Sequence, residues 1–165
     1  MNTLPNLQQE LKQEYETTKK FLENFPEGKN DYTPHEKSMK LMPLASHVIE
    51  TLGWPESILT TDKIDFAAGD YQPSNFTTKA ELQQKLEDDY AKSKAALEKI
   101  TEEDLNGRWT MHMGDQLLAD YSKYEAIRHS LNQNAHHRAQ LGVYYRLNDI
   151  PVPGSYGPSA DDQKF

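Results

Sequence analysis

Residues 122–147 run without a proline, and apolar side chains recur there at helical spacing, yet two polar groups stand inside the apolar stripe. With about 100° per residue and Ile127 set at zero, Leu131, Leu141 and Tyr145 fall within about 40° of that line. Asn134 and Arg138 fall within about 20° of it. A buried amide and a buried guanidinium are costly unless hydrogen-bonded or paired. The stripe therefore carries a polar network into a helical core, or it lets long side chains reach solvent at the bundle edge. Asparagine reaches solvent less readily than arginine does, which favours the network. Whatever folds around this helix has to accommodate a partly polar centre.

The remaining chain supplies the helices for such a centre. Leu4 to Asn24 has Leu7, Leu11, Tyr15, Phe21 and Leu22 near one face and ends before Pro26 and Gly28. A second helix runs from Lys40 or Met42 to Leu52, with Pro43 in its first turn and Gly53 suited to its C-terminal cap. Thr78 and Glu81 form a capping box for a third helix reaching Ile100, with the small Ser93 on its apolar face. The stretch "WPESILTTDKIDFAAGDYQPSNF" reads as a long connection holding at most one short helical turn. "RWTMHMGDQLLADY" reads either as a short hairpin about Gly114-Asp115 or as an irregular approach to the last helix. The expected fold class is all-α: a four-helix bundle with long connections, in one domain over residues 1–165, with a proline-rich tail over 150–165.

With 165 residues the chain can bury a core of its own. Its 18 basic against 26 acidic residues give a net charge of −8, which argues against phosphate-backbone binding. No nucleic-acid partner is expected. The absence of cysteine removes disulfides, thiolate ligands and a cysteine nucleophile together. No apolar run approaches the ~18 residues of a membrane span, so no membrane partner is expected. The opening residues lack the apolar segment of a secretory signal, and a cytoplasmic protein is the default expectation. There is no Gly-x-Ser-x-Gly elbow, no phosphate loop and no His-Glu-x-x-His helix.

Gln133 and His137 stand one turn apart on the border of the fourth helix's stripe, a spacing at which two ligands can grip one metal. Tyr144 lies on the same border and is a candidate to line a pocket there. His129 and His136 fall on the far side, near Val143 and Leu147. That second semi-apolar face reads as a partner surface, and a homodimer is expected. His47, off the main stripe of the second helix, reads by itself as a partly exposed histidine.

The segment "NQNAHHRAQLGVYYRLNDIPVPGSYGPSAD" resembles the C-terminal signature of the DinB-like (DinB/YfiT) superfamily of small four-helix proteins, and "LASHVIETLGW" resembles that family's second-helix segment. The resemblance implies a divalent transition metal (zinc, nickel or iron) held by three histidines, one on the second helix and two at i and i+4 on the fourth. Carried onto this chain, the positions are His47, Gln133 and His137. Gln133 is thus a departure at a ligand, and an amide oxygen is a weaker donor than imidazole for those metals. Metal binding is expected to be weakened or absent, and a glutamine there can instead satisfy a histidine by hydrogen bond. Two functions follow from the resemblance. One is a non-catalytic bundle that binds a small molecule or dimerises. The other is a metal-dependent enzyme of the thiol S-transferase, isomerase or hydrolase type.

Overall fold

The computed structural model describes residues 3–163. Five α-helices lie among them: α1 (Thr3–Glu23), α2 (Leu41–Glu50), α3 (Trp54–Thr60), α4 (Lys79–Lys99) and α5 (Lys123–Leu147). Three strands, β1 (Lys63–Asp65), β2 (Arg108–Met113) and β3 (Gln116–Ser122), form one sheet in the order β1-β2-β3. Helices α1, α2, α4 and α5 pack as a bundle, with α3 laid against α4 and α5. Leu7, Leu11, Leu22, Leu44, Ile49, Leu82, Leu86, Ile127 and Leu141 fill its apolar interior. No helix among the described residues is long and apolar enough to cross a membrane.

The expectation of an all-α four-helix bundle is therefore corrected to five helices and a three-stranded mixed sheet. β2 and β3 form the antiparallel hairpin about Gly114, whose φ of 61° suits a residue without a Cβ. β1 comes from the long connection and pairs parallel to β2, Ile64 opposite Met111. That same connection also holds α3, which begins with Pro55 in its first turn. Two buried side chains tie the sheet to the helices. Ile64 packs into the core from β1, and Trp109 does so from β2 while its indole N–H donates to Thr61 Oγ1 at 3.1 Å.

Helix ends follow local chemistry. Thr78 with Glu81 and Ser122 with Glu125 close reciprocal capping boxes at the starts of α4 and α5. Asp149 takes a left-handed φ of 56° after α5, and the tail turns back, held by Arg146 on Asp161 at 2.6 Å. Gly53 is not the left-handed cap expected for α2: it has φ −84° and precedes α3. Its smallness serves packing, because a Cβ there would stand 2.8 Å from the Asp89 carboxyl. Ser93 on α4 receives the same junction, donating to Leu52 O at 2.7 Å.

Trp109→Ala is expected to cost about 3–5 kcal/mol in chemical denaturation, by cavity formation where the sheet meets the bundle. Leu117→Ala, at the exposed hairpin tip, is expected to stay within about 0.5 kcal/mol. Equal losses would mean that Trp109 does not anchor the sheet.

Candidate functional site

Helix α2 stops early, and its stop explains the polar residues of α5. Thr51 N bonds to His47 O and Leu52 N to Ile49 O, which leaves the Val48 carbonyl without a helical partner. Two side chains supply one. Thr51 Oγ1 donates to Val48 O at 2.6 Å, and Asn134 Nδ2 donates to it at 2.8 Å. The amide oxygen of Asn134 then accepts from Arg138 Nη1 at 2.8 Å and from Thr18 Oγ1 at 3.3 Å.

Arg138 faces a carboxylate that the sequence reading did not single out. Its Nη1 lies 2.7 Å from Oε2 of Glu14 on α1. Asn134, Arg138 and Glu14 are 0%, 2% and 4% exposed, so this is a core pair and not an edge contact. The guanidinium also donates to Thr18 Oγ1 and, through Nη2 at 3.1 Å, to the hydroxyl of Tyr156 in the tail. Tyr156 in turn donates its own O–H to Glu14 Oε1 at 2.9 Å. Glu14 Oε2 sits off the N–H direction of its partner and is the one buried side-chain nitrogen or oxygen among the described residues without an aligned hydrogen bond. The rings of Phe21 and Tyr156 flank the guanidinium at 6.0 and 5.6 Å. One seam thus joins α2, α5, α1 and the tail.

The tether between Asn134 and Val48 fixes α2 against α5 one residue from His47. There His47 and His137 meet, ring centroids 4.5 Å apart and nearly perpendicular. Both are half-buried. Burial pushes the His47 imidazole below its ordinary range and His137 adds to this, while the charge of Glu50 pulls the other way. Burial likewise lowers His137, partly offset by its bond to Gln140 and reinforced by His136. Both shifts favour the neutral imidazole at neutral pH.

Gln140 is a residue the sequence reading missed. Its Oε1 lies 3.2 Å from His137 Nδ1 and its Nε2 lies 2.9 Å from His136 Nε2, so the amide accepts from one ring and donates to the other. This draws the His136 ring to 4.9 Å from His137, although successive helix positions diverge by about 100°. The spacing from His137 to Gln140 is i to i+3, a pairing that helix geometry makes available. Gln133 is half-buried and makes no side-chain hydrogen bond among the described residues. The hydrogen bond imagined for Gln133 is made by Gln140 instead.

Tyr144 turns to other work: its hydroxyl donates to Met39 O at 3.0 Å and its ring meets Tyr32 edge-on. His129 stacks on Tyr121, His112 bonds Thr110, and His35 accepts from the Lys37 amide. Among the described residues no group of three or more histidine, aspartate or glutamate side chains converges as metal ligands do. His47 and His137 supply two imidazoles, and the helix position one turn before His137 carries an amide, Gln133. For zinc, nickel or iron that is a poor match to a three-imidazole centre.

A family model for the DinB family matches residues 1–164. Among solved structures, a DinB-like protein of Bacillus subtilis (YjoA) superposes with TM-score 0.70 at 18% identity, covering 97% of this chain and 99% of that one. A DinB-like protein of Bacillus cereus ATCC 10987 superposes with TM-score 0.72 at 18% identity, covering 93% and 99%. No curated protein matches.

Arg138→Ala, which strands Glu14 as a lone buried charge, is expected to cost about 3–5 kcal/mol. The double variant Glu14→Leu/Arg138→Met should recover most of that loss. A double-mutant cycle by urea denaturation measures it, and additive losses would show that the two side chains do not act as a pair.

Proposed function

The chain belongs to the DinB family, and from that premise we propose that it is a member whose histidine site is degenerate, acting by binding a small molecule and not by metal-assisted chemistry. The observation that carries this reading is the meeting of His47 and His137 with a glutamine at the remaining ligand position. The rings lie edge against face, 4.5 Å apart, and both are held neutral. Gln133 offers only a weak oxygen donor in place of imidazole. Nearby groups do not repair the set, because His136 is exposed and engaged by Gln140.

Loss of a metal does not threaten the scaffold on this reading. The buried seam of Glu14, Asn134 and Arg138 closes on protein groups alone. Fold and activity separate readily when the packing that makes the fold is independent of the chemistry it carries. A second reading, assembly of two copies, is favoured by Val143 and Leu147, 56% and 58% exposed on the outer side of α5. The competing enzyme reading, a thiol S-transferase, isomerase or hydrolase, requires stoichiometric metal despite Gln133.

Metal content of the untagged protein, beside Gln133→His and His137→Ala, separates these. The native chain is expected to carry far less than stoichiometric zinc, nickel or iron, and Gln133→His to acquire it. Stoichiometric metal in the native chain, lost in His137→Ala, would overturn the proposal and return the enzyme reading.

A further inference from the structure

A second polar site lies at the C-terminal end of α2, one turn beyond His47. A cavity of about 270 Å³ opens between the α2–α3 junction, α4, the loop before α4 and strand β2. Glu50 is set into its wall and is only 7% exposed. Its two oxygens are held in place: Tyr71 donates its hydroxyl to Oε2 at 2.6 Å, and the Ser74 amide donates to Oε1 at 2.7 Å. What Glu50 lacks is a counter-charge. None of the ion pairs among the described residues includes it. A buried carboxylate with neutral donors and no cation is unusual, since buried charges are ordinarily paired.

Three aromatic side chains, Trp54, Tyr71 and Trp109, stand in the same wall among polar neighbours. Trp54 meets Tyr71 and Trp109 with ring centroids 6.4 Å apart in each case, at interplanar angles of 68° and 55°. Ring faces attract a positive charge, most strongly those of tryptophan. The lysines nearby do not reverse the sign. Lys85 is taken by Asp89 at 2.7 Å, and Lys92, exposed at the rim, faces a lining that also holds Glu56 and Asp70.

We infer that this cavity is a binding site for a small organic ammonium ion, whose charge pairs with Glu50 and whose hydrocarbon body lies against Trp54 and Tyr71. A metal ion fits less well: hard cations want six or more oxygen ligands, and among the described residues no three carboxylates converge as metal ligands do. The volume sets an upper size, because ligand pockets of about 300 Å³ and upward hold drug-sized molecules. The ligand is therefore small, a simple amine or quaternary ammonium compound. The inference deepens the small-molecule reading above by assigning it a place and a charge. It is independent of the metal result, since ammonium binding can succeed or fail whatever the histidines hold.

Both tryptophans of the chain line this cavity, so intrinsic fluorescence of the full-length protein reports on it directly. Choline and phenethylamine are titrated beside two controls: 3,3-dimethyl-1-butanol, which has choline's shape without its charge, and phenylacetate, which reverses the charge. At least one ammonium probe is expected to bind saturably, with the neutral and anionic controls weaker by about tenfold or more, the scale of one charge-assisted contact. Glu50→Gln keeps one oxygen for the Ser74 amide and turns its NH2 to the Tyr71 oxygen, and it should remove that preference. Trp54→Leu is the second variant, decisive if Glu50→Gln does not fold, and it should weaken the ammonium probe by a similar factor. Silence toward every probe, equal binding of choline and its neutral analogue, or unchanged binding in the folded variants would overturn the inference.

Discussion

The structure depends on one carbonyl and one ion pair. α2 ends before its Val48 carbonyl finds a helical donor, and Asn134 reaches across from α5 to satisfy it. Arg138 holds that amide from the other side and neutralises Glu14 on α1. Each step is forced by the preceding one: an orphan carbonyl needs a donor, a buried amide needs its oxygen satisfied, and a buried guanidinium needs an anion. Tyr156 then closes the seam, bonding both members of the pair and bringing the tail across them. Such a seam is not a source of large net stability, because desolvation offsets much of the attraction. Its effect is to fix one mutual arrangement of α1, α2 and α5, since any shift strands a charge.

That arrangement places His47 beside His137. The pair is thus a consequence of the seam and not its cause, and the seam does not depend on a metal for its hydrogen bonds. A scaffold built this way leaves the position of Gln133, outside the seam, open to exchange without exposing the core to an unpaired group. The two rings stay in contact, neutral through burial, with Gln140 holding the outer edge of His137.

Much of the helical framework was legible because it is periodic. The capping box at Thr78, the stripes of α1 and α5, and the turn at Gly114 are local signals, and the structure uses each of them. The sheet was not legible as a sheet. β1 spans only Lys63–Asp65, and its partner lies far along the chain, so no local alternation announces it. Trp109 gives β2 its anchor, but a single aromatic among polar neighbours reads equally well as loop. Gly53 misled for a related reason: a glycine after a helix suggests a left-handed cap, whereas here it makes room for Asp89. On α5 the angular positions of Asn134 and Arg138 pointed inward, and both are buried. Their partners Glu14, Thr18 and Thr51 were out of reach, because pairing between helices distant in sequence leaves no mark at either position. Tyr144 lay at the angle expected of a pocket residue, yet its hydroxyl is spent on the Met39 carbonyl.

The claim on which the account turns is that His47 and His137 face each other as neutral rings held by protein contacts and not by a metal. Long-range proton–nitrogen NMR of the histidine side chains at neutral pH, recorded before and after equimolar zinc, addresses it directly. The account predicts two neutral imidazoles whose ring nitrogens are unmoved by zinc. A joint displacement of both rings to the shifts of metal-bound nitrogen, complete at one zinc per chain, would contradict it.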